Sequence, residues 1–442
     1  MDKQFEQFFE QQGFKSPTAI QQAVYQPLKD GESVMGLAPT GSGKTLAFVV
    51  PLLEKTVPGG GTQVLVLAPS QELAVQTTDV FRQWGTVNNL KATSLTGGAN
   101  MQRQIERLKK HPEVVVGTPG RMLSLIQEDR LKLKDVQTVV VDEADELLTG
   151  ETFDEVRELV MHSPTDVQLA FFSATQANSA AKLAEIFGVT IHELDVRTTD
   201  TTQGEVLHGL VRVAANKKVA YLRRLAKLKH FQALVFFNYV STLEHVAAEL
   251  KHEHVSSVKL AGHQVQTERA TAMRRFRKGE AKLLLTTEMA ARGLDIADLP
   301  AVINYDLPAS ATAYIHRTGR TGRMGRAGVI VNMGNDHDLR DLRKLVPTVT
   351  FKPLYLAHGE LTDQKEILDR DTKPVADKPV SNEEASQSIP ATTSEANRAL
   401  KPVQQKKDRK PAYIGGKPKK KINHKKHSKK KGMRHKNKER FE

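Results

Sequence analysis

The stretch Val34-Met35-Gly36-Leu37-Ala38-Pro39-Thr40-Gly41-Ser42-Gly43-Lys44-Thr45 decides the fold. Its first four residues make a short continuous apolar run, the pattern of a strand buried on both faces. A glycine-rich turn follows, and residues 45–55 have a helical pattern. In such a strand–loop–helix unit the glycines let the backbone wrap a phosphate, with N–H groups pointing inward at the helix N-terminus. Lys44 can reach the β- and γ-phosphates of a nucleotide, for binding and for catalysis, and Thr45 can ligate Mg2+. Thr40, Gly41, Ser42 and Gly43 complete the candidate loop. Gly-Lys-Thr alone is a weak signal, and its place between a strand and a helix gives it weight. The general pattern of such loops has glycine where this chain has Ala38.

The same alternation continues along the chain. Residues 64–68, 114–117, 138–141, 169–172 and 189–194 read as further buried strands. Residues 233–237, 282–286, 301–305 and 329–333 make a second set, with helical stretches such as 71–84 and 242–252 between strands. Strands and helices alternating at this spacing predict an α/β protein with open parallel sheets. Residues 197–204, a stretch of Thr, Asp, Gln and Gly, separate the two sets and read as a linker. Domain one is then expected over residues 1–200 and domain two over 205–350. Residues 360–400 have almost no apolar periodicity, which predicts disorder. Residues 401–442 form a Lys-rich tail without heptads or a helical face.

Composition narrows the function. The chain has 442 residues and no cysteine, which excludes a disulfide scaffold, Cys-ligated zinc, an iron–sulfur cluster and thiol catalysis. The apolar share of 39% lies below the usual ~45–50%, so part of the chain is expected not to fold. No apolar run approaches the ~18–20 residues that span a bilayer, and Met1-Asp2-Lys3-Gln4 does not begin like a signal peptide. A soluble intracellular protein with no membrane partner is expected. The net charge of +14 is unevenly placed: residues 401–442 hold 18 Lys and Arg against 3 Asp and Glu, and the first 400 hold 47 against 48. A basic tail on a neutral body predicts a polyanionic partner, with nucleic acid the leading candidate.

Two further stretches carry chemistry. Val139-Val140-Val141-Asp142-Glu143-Ala144-Asp145 ends a buried strand 98 residues after Lys44. A carboxylate at the C-terminal end of a parallel strand stands where such sheets bind ligands. Asp142 can hold Mg2+ on a nucleoside triphosphate, and Glu143 can position or deprotonate the attacking water. Alone, an acidic helix start is the plainer reading; beside a phosphate loop it is not. In domain two, Tyr314-Ile315-His316-Arg317-Thr318-Gly319-Arg320-Thr321-Gly322-Arg323 spaces three arginines by three. Phosphoryl transfer needs cations on the γ-phosphate, and an arginine supplied across a cleft contributes a factor of ~10³–10⁵. A phosphate loop in one domain and an arginine cluster in the other predict an ATPase that closes to react.

Together these stretches resemble the DEAD-box family of ATP-dependent RNA helicases, within superfamily 2, over roughly residues 8–335. Asp142-Glu143-Ala144-Asp145 reproduces the family's eponymous motif. In family order the chain also shows Gly13-Phe14, Pro17-Thr18-Ala19-Ile20-Gln21, Pro69-Ser70-Gln71-Glu72-Leu73-Ala74, Gly97-Gly98 and Thr118-Pro119-Gly120-Arg121. Ser173-Ala174-Thr175, Val235-Phe236-Phe237-Asn238, Gln266-Thr267-Glu268-Arg269, residues 287–295 and residues 316–323 follow. The resemblance implies two tandem RecA-like domains, ATP and Mg2+ as cofactors, and RNA as partner.

It also implies roles by position. Gln21 reads the adenine edge, since an amide offers the donor and acceptor that adenine matches, and Phe14 packs on the ring. Gly293 and Asp295 meet the nucleotide from domain two, and Arg320 and Arg323 are the arginine fingers. Ser173 and Thr175 couple the ATP site to the RNA site. Gly97, Gly98, Thr118, Gly120, Arg121, Asn238, Gln266, Arg269 and Thr287 contact the RNA backbone, a set suited to phosphate and 2′-hydroxyl contacts rather than to sequence readout. Trp84, on an amphipathic stretch, reads as packing rather than as a base-stacking platform.

The chain departs from the family at three places. Gln71 stands where an arginine usually helps to bind RNA, and Glu288 where the family has aspartate. The family's isolated aromatic upstream of Gly13 falls before Met1, so part of the adenine pocket's support is expected to be missing. An active RNA-dependent ATPase is still the expectation. An RNA clamp with residual hydrolysis and a DNA translocase on the same fold are the alternatives. The basic tail suits a tether for RNA, in ribosomal or other ribonucleoprotein particles, and the lean architecture looks bacterial and cytoplasmic.

Overall fold

The computed structural model describes residues 1–364, apart from Ala177, His263, Val265, residues 292–298, Met324 and residues 358–359. Gly293, Asp295, most of the stretch expected to be disordered and the whole tail lie outside the described residues. All the described residues belong to one compact unit.

Seven parallel strands form the first sheet: β1 (Val34–Leu37), β2 (Val64–Leu67), β3 (Ala92–Leu95), β4 (Val114–Gly117), β5 (Thr138–Asp142), β6 (Gln168–Ser173) and β7 (His192–Asp195). Their order is β3-β4-β2-β5-β6-β1-β7. Neighbouring residues on a strand face opposite sides. Val34, Val66, Val140 and Phe172 enter one apolar cluster, and Met35, Leu65, Val141 and Phe171 the other. Helices cover both faces, which is why the central strands are apolar throughout. The register sets Leu37 beside Ser173 and Asp142 beside Phe172. Three motifs far apart in sequence therefore emerge side by side at the C-terminal edge.

The second sheet repeats the plan with β8 (Val206–Arg212), β9 (Ala233–Phe237), β10 (Ser257–Leu260), β11 (Leu283–Thr287), β12 (Ala301–Asn304), β13 (Gly328–Gly334) and β14 (Phe351–Pro353), in the order β10-β11-β9-β12-β13-β8-β14. Thr287, Phe237 and Asn304 end adjacent strands, so their loops share one edge.

Several expectations shift. β7 begins at His192 rather than residue 189, and it is a mostly exposed edge strand instead of a buried one. β3 and β10 are also edge strands of mixed polarity, so they lack the continuous apolar run that marks a buried strand. Domain two runs past residue 350. β14 pairs with β8, and a hairpin of β15 (Tyr355–Ala357) and β16 (Glu360–Thr362) packs Leu356 and Leu361 against the core. Residues 360–362, expected to open the disordered stretch, are strand. Gly209 permits this extension, because a Cβ there would lie 2.6 Å from Leu354.

The linker is not a free spacer. Gly204 N–H donates to Gly322 O at 2.9 Å and Gly325 N–H to Thr202 O at 3.1 Å, so it lies along the arginine loop. Gly204 must be glycine there, since a Cβ would approach Arg326 O to 2.0 Å.

Candidate active site

The phosphate loop hangs between β1 and the helix Lys44–Lys55. Ala38 is buried and its N–H donates to Ser173 O at 3.1 Å, so the methyl is accommodated where the general pattern has glycine. Gly41 and Gly43 take φ of 86° and 89°, the left-handed region, and Gly43 caps the helix. Lys44 Nζ donates to the loop's own carbonyls, Ala38 O at 2.7 Å and Pro39 O at 2.9 Å. Burial lowers the Lys44 pKa, against the pull of Asp142, Asp145 and Glu143.

Thr40 Oγ1 and Ser42 Oγ are buried without a hydrogen-bond partner. Orphaned buried hydroxyls are rare in native interiors. Set in a loop of left-handed glycines with a buried lysine, they fit an anionic ligand that supplies the missing partners. Asp142 is buried at the end of β5, and its Oδ1 accepts the Glu143 N–H at 3.0 Å. Burial first, then the charge of Glu143, push its carboxyl up to about 7. A divalent cation would relieve that penalty, and the Asp142 carboxylate and Thr45 hydroxyl are hard oxygen donors of the kind Mg2+ takes. Glu143 has φ 49° without being glycine, a strained backbone held at the strand–helix junction.

Beside the loop, Gln21 joins the helix Ala19–Lys29 to the phosphate site. Its Oε1 accepts Thr18 N–H at 3.0 Å and its Nε2 donates to Gly43 O at 3.2 Å. Gln21 also lines a cavity of about 250 Å³ with Phe9, Pro17, Tyr25, Leu46 and Val50. Phe14 is half-buried against Phe9 at 4.9 Å and Trp84 at 6.5 Å between ring centroids. The helix Lys3–Gln11 packs Phe8 and Phe9 on Trp84 beside Phe14. Trp84 is core, as its pattern predicted.

Domain two closes over this edge. A Cβ on Gly41 would meet Arg323 Cγ at 3.0 Å, and a Cβ on Gly319 would lie 1.4 Å from Thr40 Oγ1. Arg323 therefore sits on the phosphate loop, and only glycine fits at 319. Arg320 lines a narrow crevice with Glu143, Phe236, Glu288, His316 and Arg317. A relay crosses the cleft. Ser173 Oγ donates to Thr175 O at 2.6 Å, Thr175 Oγ1 donates to Asp145 Oδ2 at 2.5 Å, and that same oxygen meets His316 Nε2 at 3.0 Å. His316 Nδ1 lies 3.1 Å from Glu146 Oε1. Burial pulls the imidazole pKa down, but the two carboxylates outweigh it and hold it at about 9. Burial pushes Asp145 up, and the hydrogen bonds from His316 and Thr175 with the charge of His316 more than reverse that.

The residues assigned to RNA fall into two groups. Gly97, Gly98, Gln71 and Arg121 converge at the ends of β3 and β4. Gln71 Nε2 lies 3.3 Å from the Cβ position of Gly98, and Arg121 Nη1 reaches Ala99 O at 3.4 Å. Thr118 stands at the N-cap position of the helix Pro119–Gln127, and the Glu155 carboxylate lies against Gly120, 3.0 Å from where a Cβ would stand. In domain two, Asn238 turns its amide to Leu307 O at 3.0 Å and to Arg317 Nη2 at 2.8 Å. Thr287 is buried at the end of β11, and Gln266 opens the helix Gln266–Arg277. Arg269 spans the domains, 2.6 Å from Glu72 Oε1, with further bonds to Ala261 O and Ala290 O. The geometry gives it an interdomain ion pair in place of an open RNA-facing cation. Glu288 does make its local contact, 3.3 Å from Arg317 Nη2.

Glu72, Asp145 and His316 lie in motif stretches but have no role legible in the sequence, and Arg317, spaced with the phosphate-directed arginines, turns into its own domain instead. The partners of Glu72, Asp145 and His316 lie 30 to 197 residues away, and those of Arg317 lie 11 to 79 away. Only the unbroken acidic and basic spelling of the two motifs signalled them.

Two family models match the chain: DEAD/DEAH box helicase over residues 18–183 and Helicase conserved C-terminal domain over 217–325. The probable ATP-dependent RNA helicase YfmL of Bacillus subtilis is 39% identical over 309 residues, covering 70% of this chain and 82% of that protein. The DEAD-box ATP-dependent RNA helicase CshC of Bacillus cereus is 35% identical over 372 residues, covering 84% and 95%. Among solved structures, Saccharomyces cerevisiae Dbp5 bound to RNA and ADP BeF3 superposes with a TM-score of 0.71 at 28% identity, over 80% of this chain and 93% of that one. The chain belongs to the DEAD/DEAH box helicase family, and its two sheets are tandem RecA-like domains.

Proposed function

We propose that this protein is an ATP-dependent RNA helicase that hydrolyses ATP when its two domains close on RNA, separating short duplexes or remodelling ribonucleoprotein locally. The observation that carries the reading is the relay Ser173–Thr175–Asp145–His316, which joins the phosphate edge of domain one to the arginine helix of domain two. RNA is the polymer named in relatives that match most of this chain.

In this reading Gln21 and Phe14 hold the adenine, and the loop from Thr40 to Thr45 wraps the phosphates with Lys44 on the terminal ones. Thr45 and Asp142 would hold Mg2+, which supplies charge neutralisation on the phosphate oxygens. Glu143 orients the water and takes its proton, while Arg320 and Arg323 meet the charge that develops on the transferred group. RNA lies along the edges marked by Gly97, Gly98, Thr118, Gly120, Arg121, Asn238, Gln266 and Thr287, with Arg269 and Glu72 clamping the closed form. Gly293 and Asp295 belong to the nucleotide side of domain two by their place in the family pattern. The basic tail tethers RNA, and the protein acts on ribosomal or similar particles in the cytoplasm.

Glu143→Gln tests the chemistry. The amide keeps the shape but cannot accept the proton, so RNA-stimulated turnover should fall by about 10²-fold or more with ATP binding nearly intact. Turnover within tenfold of wild type would falsify the role of Glu143. Stimulation by single-stranded DNA equal to that by RNA would instead favour the translocase.

A further inference from the structure

Domain two contains a row of buried polar groups that none of these roles uses. Asn304 ends β12 and Asn332 lies within β13, both at 0% exposure, in strands otherwise built of Ala, Val, Ile, Met and Gly. Parallel pairing sets them side by side. Asn304 Nδ2 donates to Asn332 Oδ1 at 2.8 Å, and Asn332 Nδ2 donates onward to Gly209 O in β8 at 3.0 Å. At the other end, Arg317 Nη1 donates to Asn304 Oδ1 at 3.2 Å. The donors all run one way, from the guanidinium through two amides to a backbone carbonyl two strands away.

The row also touches the helix Ala311–Thr318 one turn earlier. Asn332 lies beside the Tyr314 hydroxyl, which His208 Nδ1 of β8 meets at 2.7 Å. Arg317 itself is 2% exposed and held through both of its terminal nitrogens, while its buried Nε has no hydrogen-bond partner. Nη1 also reaches Asp306 O at 2.8 Å, Nη2 reaches Asn238 Oδ1 and Glu288 Oε2, and the guanidinium lies 5.1 Å from the Phe236 ring centroid.

Amides inside a sheet are unfavourable unless both their oxygen and their NH2 are engaged. Apolar side chains of similar size would pack in these strands without that cost. Here each amide is engaged at both ends, and a satisfied buried network fixes one geometry where apolar packing tolerates several. The geometry points to a role in setting the arginine helix. We propose that Asn304 and Asn332 are positioning residues for ATP hydrolysis: they form an amide ladder that fixes Arg317 and, through it, the helix that carries His316 to domain one and leads into Arg320. The proposal rests on the reading of the cleft as the hydrolytic site. In that reading the adenine and the phosphate loop are held by domain one, and the ladder touches none of the residues assigned to the nucleotide, so its loss should be felt in kcat and not in the grip on ATP.

The test is Asn332→Leu in the full-length protein, assayed for RNA-stimulated ATPase. It leaves the Asn304 NH2 and the Gly209 carbonyl without their partners. We expect kcat to fall about tenfold, the size of one hydrogen bond lost beside a charge, with KM for ATP within about twofold of wild type. Arg317→Lys should lower kcat as well, and the double variant should fall short of the product of the two effects, because both act through one guanidinium. If Asn332→Leu lacks a native melting transition, Asn332→Ser is scored by the same two readouts. A folded variant with wild-type kcat, a loss carried by KM, or effects that multiply in the double variant would each overturn the ladder. Wild-type turnover that RNA does not stimulate would sink the reading of the cleft and the ladder's role with it.

Discussion

The phosphate loop of domain one and the arginine helix of domain two face each other, yet they are built on opposite principles. The loop is made of backbone and small side chains, and Thr40 and Ser42 are left with buried hydroxyls that lack partners. It is a mould finished by a ligand. The arginine helix is finished mostly by the protein: Arg317 has Asn304, Asp306, Asn238 and Glu288 on its two terminal nitrogens, with its Nε left without a hydrogen-bond partner, and Tyr314 has His208. Binding energy is thus gathered on one side of the cleft, and the groups held rigid for the transition state stand on the other. That division predicts that damage to the phosphate loop appears in affinity and damage to the arginine helix in rate.

Arg320→Ala should break the comparison most visibly. The side chain lines the crevice beside Glu143 from the opposite domain. Its loss should lower kcat by roughly 10³-fold, the low end for a finger, while a fluorescent ATP analogue still binds. If KM for ATP rises by as much as kcat falls, the two sides of the cleft are not divided as described.

The relay between the two sides gives a smaller, pH-dependent effect. His316 is held near pKa 9 by Asp145 and Glu146 when the cleft is closed, against about 6.5 for an exposed imidazole. Its contribution to closure is therefore complete below about 6.5 and lost as pH rises through about 9, by up to about tenfold per pH unit between. The lifetime of the complex with RNA and a non-hydrolysable ATP analogue should shorten over that window, and His316→Gln should flatten the profile. A flat wild-type profile would remove the imidazole from the latch.

Domain one was also far easier to read from the sequence. Its central strands are unbroken apolar runs, and its loop and Asp142–Asp145 are local words whose neighbours in space are set by adjacent strands. In domain two the residues were legible but their partners were not. Asn304 and Asn332 are 28 positions apart, Arg269 and Glu72 nearly two hundred. No pattern in a single chain announces that two asparagines share a register or that an arginine at the surface of one domain pairs with a glutamate in the other. β14 escaped notice for a related reason, since three residues ending in proline make no periodic signal. Its place depends on Gly209 leaving room for Leu354.

Gln21 sharpens the view of domain one as the binding side. Its amide already bonds Thr18 and Gly43, leaving one N–H and further acceptor capacity on its oxygen for a base. Gln21→Ala should relax the preference for ATP over GTP by about tenfold, as expected for one hydrogen-bonded recognition group, with kcat for ATP changed less. Unaltered selectivity in steady-state kinetics with both nucleotides would mean that another group reads the base.

The smallest effect on turnover should come from removing the most charge. Deleting residues 365–442 takes away 13 of the 14 net positive charges but none of the described strands. The melting temperature and saturating kcat should hold. Cutting after Thr350 instead removes β14, buried Leu354 and the Phe351 ring that packs 5.9 Å from Tyr314. One buried leucine is worth about 1.5–3 kcal/mol, enough to lower the melting temperature by several degrees. The two truncations together locate the end of the folded body. The longer protein then isolates the tail's electrostatics. Each phosphate neutralised on a single strand adds about −0.7 to the slope of log affinity against log salt. If three or four of the 18 basic residues engage at once, the full chain should show a slope steeper by about 2–3 than the 1–364 protein. Its apparent KM for RNA should be lower, because a tethered strand stays near the cleft. Affinity measured from 50 to 300 mM salt on both proteins decides it: parallel lines of equal height would mean that the tail ignores RNA and that the cleft alone holds the strand.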